Sequence, residues 1–380
     1  MFKFGIENIE QHLDLFKDKR VGLITNPTGV DSSFKTTIEI LFEKTNLVAL
    51  FSPEHGVRGD LQAGVHLDTY VDELTKCTVY SLYGETRKPT KEMMDSIDIL
   101  CFDIQDVGAR YYTFIYTMAY AMMACKENDK EFVVFDRPNP VGGLEVEGSI
   151  LDLKFRSFVG YYPLTQRFGL TLGELAMMYN KEFEIGCKLH IVKMTDWKRY
   201  YHYKDLNRHW VLPSPNIPTT DSLYAYLTTC YFEGTNVSEG RGTAKPFQMF
   251  GAPWMNADLL IKELKKRNLL GVAFRKTYFT PMFSKHKDTL CQGVELFVTD
   301  INTFKPVATG YTLIYLIRDL FEEFKFLDPY RPGGNQMIDL LSGNDDLKTK
   351  RYTLDELLEK IDKDSKAFKV KKEGYHLYEI

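Results

Sequence analysis

Glu54 and His55 stand in the run Ser52-Pro53-Glu54-His55-Gly56-Val57-Arg58-Gly59, directly after the apolar residues 47–51, LVALF. A carboxylate beside a histidine, hemmed by a proline and a glycine at a strand end, is placed to act as a general acid or base. Helix capping and loop packing would use the same two residues without chemistry. A second group follows the apolar residues 99–102: Asp103, Gln105, Asp106, Arg110 and Tyr111 in the run DIQDVGARYY. Gly108 lets backbone approach a ligand, and Arg110 offers a planar fork for a carboxylate or phosphate. The amide-rich start of a helix from Thr113 suits an anionic group. An Arg110–Asp106 ion pair that only shapes the loop accounts for the same residues. The third group, Asp136-Arg137-Pro138-Asn139-Pro140, follows residues 132–135. There Arg137 suits an anion and Asn139 a sugar hydroxyl or amide, with a proline-fixed structural turn as the plainer use.

A fourth polar run lies later, at residues 233–243, EGTNVSEGRGT. A loop so rich in glycine, carboxylate and amide groups is poor core material and needs a ligand or a dense hydrogen-bond net to be ordered. Glu239, Arg241 and Asn236 are its candidate site residues, and Asn216 is the candidate from the proline-rich stretch LPSPNIP at residues 212–218. Phe250 and Trp254 are rings that either stack on a sugar face or pack in a core. A metal offers a rival chemistry, with Glu54, His55, Asp103, Asp106 and Asp136 as ligands of an esterase or phosphohydrolase. The histidines show no HxH or HExxH spacing, and the arginines of the same loops repel a cation.

The elements that must carry these motifs follow from the apolar pattern. Strand signals at residues 21–25, 47–51, 78–82, 99–102 and 132–135 alternate with helical spacing at 36–43, 91–97 and 113–125, which argues for βαβ units and a parallel sheet. Neighbouring strands of such a sheet open onto one crevice at their carboxyl ends, so the first three motifs are expected to share one polar pocket. Thr171-Leu-Gly-Glu174 and Thr353-Leu-Asp-Glu356 are capping boxes that start helices. Residues 292–299 alternate like a half-buried strand and 307–324 read as one long helix. The expected architecture is α/β: a Rossmann-like N-terminal domain with a parallel sheet over residues 1–220, and a smaller α+β C-terminal domain over 221–380 that completes the cleft. No GxGxxG follows the first strand and GxxxxGK[ST] is absent, so no nucleotide cofactor is expected.

Composition excludes several partner classes. With 48 basic and 52 acidic residues and a net charge of −4, the chain has no electrostatic footprint for nucleic acid or an anionic membrane. No uncharged apolar stretch approaches the ~18 residues of a membrane span. The six cysteines form no CxxC pair and suit buried thiols, which favours a reducing compartment. The opening residues lack the pattern of an export signal. A cytoplasmic location is therefore expected, or the cell envelope or a secreted state if a signal has been removed.

Taken together, SPEHG with Arg58-Gly59, DIQDVGARYYT, DRPNP with Gly142-Gly143, PSPNIP and EGTNVSEGRGT resemble the NamZ family of bacterial exo-β-N-acetylmuramidases. The resemblance runs from about Val21 to the C-terminus. It implies a cleft between the two domains and release of N-acetylmuramic acid from the non-reducing end of peptidoglycan fragments of the MurNAc-GlcNAc type, a step of cell-wall recycling. It also implies Glu54 as the catalytic acid/base. Glycoside hydrolysis needs an acid at the leaving oxygen, and an arginine among Arg58, Arg110, Arg137 and Arg241 would hold the lactyl carboxylate. The second carboxylate is Asp106 or Glu239, unless the acetamido oxygen of the substrate attacks. A non-catalytic cell-wall sugar-binding protein would keep the same cleft.

Overall fold

The computed structural model describes residues 1–54, 56–59, 69–83 and 86–380. Strands β1 (Arg20–Thr25), β2 (Asn46–Ser52), β3 (Tyr70–Val71), β4 (Thr78–Ser81), β5 (Ile99–Asp103), β6 (Glu131–Phe135) and β7 (Lys188–Val192) form a seven-stranded sheet in the order β3-β4-β2-β1-β5-β6-β7. All pairings are parallel except β3 with β4. The central strands are apolar and almost wholly buried because helices cover both faces. Helices α1 (Thr37–Lys44), α2 (Lys91–Asp95), α3 (Phe114–Glu127) and α4 (Leu172–Glu182) supply much of that cover. α3 is apolar around nearly its whole circumference and is correspondingly buried. α1 and α4 begin with reciprocal capping boxes, Thr36 with Glu39 and Thr171 with Glu174.

Several expectations need correction. β2 and β5, read as neighbours, are separated by β1. A 3₁₀ helix over Gly5–Phe16 and strand β7 carry no signal strong enough to be read from pattern alone. Gly5 permits that N-terminal helix to sit against β6 and β7, since an added Cβ would lie 2.4 Å from the Asp136 nitrogen and the Val192 oxygen.

The second part follows with α5 (Asp221–Thr229), β8 (Met249–Ala252), α6 (Ala257–Leu264), β9 (Val272–Phe279), β10 (Cys291–Val298), α7 (Pro306–Leu320), α8 (Met337–Ser342), α9 (Asp346–Thr349) and α10 (Leu354–Glu373). Its strands make a separate antiparallel sheet, β8-β10-β9. α7 starts on Pro306, whose fixed φ suits a first helical position. It stops at Leu320, short of the expected 324, because Phe321 turns extended.

α10 joins the two parts. Leu354, Leu357 and Ile361 pack in the core around α5 and α7, whereas Phe368 and, just past the helix, Tyr375 pack in the core around α3 and α4. Glu147 adds a polar tie, its Oε1 accepting the Ala308 N–H at the start of α7 (2.7 Å). Among the described residues no helix is long and apolar enough to cross a membrane.

Candidate active site

Glu54 is half-buried just beyond β2 and lines a depression of about 200 Å³ with Tyr112 and Thr113 from the β5–α3 loop. Thr113 is the N-cap of α3, yet its side chain caps nothing; its hydroxyl lies 3.5 Å from Glu54 Oε2. Phe114, the first residue of α3, also lines the depression, so the positive end of a 14-residue helix opens on it. Tyr83 stands beside the same carboxylate. Burial raises its pKa, and the nearby Glu54 carboxylate raises it further.

Apart from Tyr111 and Val159, the remaining wall comes from beyond residue 211. Ser214, Asn216 and Ile217 arrive on the proline-rich stretch, and Tyr226 on α5. A 3₁₀ turn, Cys230–Gly234, then brings Glu233, and the glycine-rich loop brings Arg241 and Phe247. Arg241 Nη2 bonds Glu233 Oε1 at 2.7 Å, and its Nε lies 3.3 Å from Glu239 Oε1. Burial opposes the charge of Arg241, but the two glutamates outweigh it and raise the pKa. Glu239 is 2% exposed and is held from behind by Lys285 Nζ (2.8 Å), a residue of the β9–β10 connection. Tyr112, Tyr226 and Phe247 form a chain of edge-on rings, with centroids 5.7 and 4.8 Å apart. Phe247 has φ 63° and its N–H bonds the Glu239 carbonyl (2.7 Å).

The sequence candidates therefore separate. Glu54, Tyr111, Asn216 and Arg241 line this depression, although Tyr111 is 2% exposed and its hydroxyl is tied to the Leu227 carbonyl (2.9 Å). Glu239 stands behind Arg241. Gln105 and Arg137 line a different depression with Thr28, so the strand-end motifs serve two crevices, where one shared pocket was expected. Arg137 is buried against Asp103 (2.6 Å). Arg110 is wholly buried and donates to the carbonyls of Ser149, Leu164 and Leu341; it neither faces a ligand nor pairs with Asp106. Asn139 is buried and donates to the Leu170 carbonyl (3.0 Å), and Asn236 pins the chain after α7 through Glu323 and Lys325. Arg58 pairs with Asp72 (2.7 Å). His55 lies outside the described residues.

Asp106 is buried with Oδ1 accepting the Gly108 N–H (2.7 Å) and Oδ2 lacking a partner among the described residues. Burial pushes its pKa up to about 7 against the pull of the Gly108 and Val107 amides. The proposed metal ligands do not converge: Asp103 is taken by Arg137 and Thr37, and no group of three His, Cys, Asp or Glu side chains gathers among the described residues. Phe250 is a core residue packed on Phe232, and Trp254 is half-buried against the same core beside Phe321. Glu233 and Tyr83 were missed. Glu233 opens the very run that contains Glu239, but nothing local marks which glutamate faces the cleft.

Residues 21–221 match the family model described as exo-β-N-acetylmuramidase NamZ, N-terminal, and residues 224–378 match its C-terminal counterpart. The chain belongs to the NamZ family. It is 50% identical over 368 residues to the peptidoglycan β-N-acetylmuramidase NamZ of Bacillus subtilis strain 168, covering 95% of this chain and 87% of that one. Two solved structures of DUF1343 family proteins from Bacteroides fragilis NCTC 9343 share the fold. One superposes with a TM-score of 0.91 at 40% identity over 99% of each chain. The other has a TM-score of 0.81 at 32% identity over 100% of this chain and 99% of that one. The NamZ fold thus spans both sheets and the α10 helix that joins them.

Proposed function

We propose that this chain is an exo-acting glycoside hydrolase that releases N-acetylmuramic acid from the non-reducing end of peptidoglycan fragments, with Glu54 as the general acid/base. The observation that carries the reading is the meeting of Glu54, Glu233 and Arg241 with the rings of Tyr112, Tyr226 and Phe247 in one depression of a NamZ family chain. Glycosidic cleavage needs a proton at the departing oxygen, and the partly exposed Glu54 is accessible to give it.

Glu233 supports the second role better than Asp106 or Glu239 does, because it lines the same depression while Asp106 and Glu239 are buried outside it. Its ion pair with Arg241 orients it. Such a group serves as base or nucleophile, or orients the substrate's acetamido group. Among the four arginines considered for the lactyl carboxylate, Arg241 is the one that lines this depression. The Glu54 depression takes its walls from both sides of residue 220, which supports a boundary there between an N-terminal and a C-terminal domain, with α10 shared.

The test is hydrolysis of a chromogenic β-N-acetylmuramide beside the matching β-N-acetylglucosaminide, with and without EDTA. Cleavage of the muramide, unaffected by EDTA and reduced roughly 10²–10⁴-fold in Glu54→Gln, is the expected result. Full activity in Glu54→Gln would remove Glu54 from the reaction.

A further inference from the structure

The loops leaving β1, β5 and β6 enclose a second depression, of about 180 Å³, to which Thr28, Gln105 and Arg137 respectively contribute. β2 and β4 lie on one side of β1, while β5, β6 and β7 lie on the other. The strand order therefore reverses between β1 and β5. At such a point the loops diverge and leave a crevice outside the carboxyl ends of the strands, where open α/β sheets bind ligands. The cleavage chemistry at Glu54 makes no use of this crevice.

Three features of it point to one ligand chemistry. Gln105 is 3% exposed, and its Nε2 donates to the carbonyls of Asp106 (2.8 Å) and Pro138 (2.9 Å), which fixes the amide. Its buried Oε1 has no donor among the described residues and calls for a hydroxyl or amide N–H. Arg208 donates to the carbonyls of Asn207 and Phe2 only, its Nε is unpartnered, and no carboxylate pairs with it among the described residues. Asp31, the acid of the same crevice, is folded into its own turn through the Ser33 and Lys35 amides (2.8 and 2.9 Å). Finally, Phe34 is held at φ 68° while 55% exposed, its ring 5.5 Å from that of His209. A bulky residue in the left-handed region is strained, and here little burial offsets the strain. What the strained turn achieves is an aromatic face at the mouth of a polar crevice.

An aromatic plate, a buried acceptor and an unpaired guanidinium match the C–H face, the hydroxyl or amide, and the acid group of a carboxylated sugar. We propose that this crevice is a second saccharide site that takes one sugar-acid residue, apart from the cleft that holds Glu54. The proposal stands whichever carboxylate cleaves the substrate. The ligand's source is either the released monosaccharide or a muramic residue within a glycan fragment.

The experiment is ligand-observed saturation-transfer NMR on the full chain carrying Glu54→Gln together with Arg241→Met, which stops hydrolysis and removes the cation of the Glu54 depression. N-acetylmuramic acid, N-acetylglucosamine and a muramic-terminated disaccharide are titrated in turn. N-acetylmuramic acid is expected to bind this protein, and adding Phe34→Gly weakens it at least tenfold without lowering the melting temperature, because glycine relieves the backbone strain. Arg208→Gln removes the preference for the acid over N-acetylglucosamine and serves as the second variant. Binding of the disaccharide as tightly as the monosaccharide assigns the site to glycan fragments; binding of the monosaccharide alone assigns it to the released product. Loss of all sugar binding in Glu54→Gln with Arg241→Met, or binding indifferent to Phe34→Gly and Arg208→Gln, would overturn the proposal. Neither result bears on muramide hydrolysis by the unaltered chain, so the two readings fail separately.

Discussion

Glu233 and Glu239 are six positions apart in one polar run and share Arg241, yet they differ in exposure. Glu239 is clasped by Lys285 and Arg241, while Glu233 keeps a quarter of its side chain exposed (25%) and lines the depression with Glu54. Glu233→Gln is therefore expected to lower kcat by about 10²-fold or more with little change in KM, by steady-state kinetics on the chromogenic muramide. Equal loss in Glu239→Gln alone would move the second carboxylate there. Arg241→Met is expected to raise KM for the muramide more than for the glucosaminide, since it removes the cation placed for the lactyl group. Asp106 gives a pH prediction. Its carboxyl is pushed up to about 7 by burial, so between roughly pH 4 and 7 the native state keeps a proton that the unfolded chain releases. Stability falls across that window as pH rises. Asp106→Asn retains an acceptor for Gly108, so its melting temperature relative to the parent is expected to climb from pH 5 to pH 8; a constant difference would show that Asp106 ionises freely.

At the scale of elements, the β5–α3 loop is positioned by backbone as much as by side chains. Gly108 has φ 77°, and a Cβ there would sit 2.5 Å from Asn139 Oδ1 and 2.7 Å from Val141 Cγ2. Gly108→Ala combines left-handed strain with that clash and is expected to cost about 2–3 kcal/mol, read from the urea midpoint. An unmoved midpoint would mean that the β6 loop yields. The capping boxes of α4 and α10 and the apolar runs of β2, β5 and β6 were all legible, because each depends on residues a few positions apart. β7 and the two strands that flank β10, β8 and β9, were not. β7 is only partly buried and β9 mixes exposed, half-buried and buried positions, so neither presents a strong apolar pattern. Their strand state comes from pairing with β6 and β10.

For the whole molecule, the C-terminal stretch is the joint between the parts. Lys372, 1% exposed, donates to the carbonyls of Gly143 and Gly169, the Leu377 N–H bonds Glu174 (2.8 Å), and the Tyr378 hydroxyl bonds Asp136 (2.6 Å). A chain ending at residue 353 would strip apolar cover from both the α3–α4 core and the α5–α7 core. It is expected to lose its single cooperative transition in thermal unfolding followed by circular dichroism. Retention of that transition would make the N-terminal part a domain complete without α10.

The sequence by itself determined the α/β class, the polar motifs at the ends of β2, β5 and β6, and the family to which the chain belongs. These are carried by apolar period, capping pairs and short ordered motifs, all local in the chain. Tertiary structure alone decided which of those motifs meet. The strand order inserts β1 between β2 and β5, sending Gln105 and Arg137 to one crevice and Tyr112 and Thr113 to the other. Arg110 and Glu239 were equally plausible as ligand-facing groups until Leu341 and Lys285, far along the chain, took up their polar atoms. A charged side chain's role depends on whether the fold brings it a partner or water, and that choice is made by residues too distant for any local pattern to register.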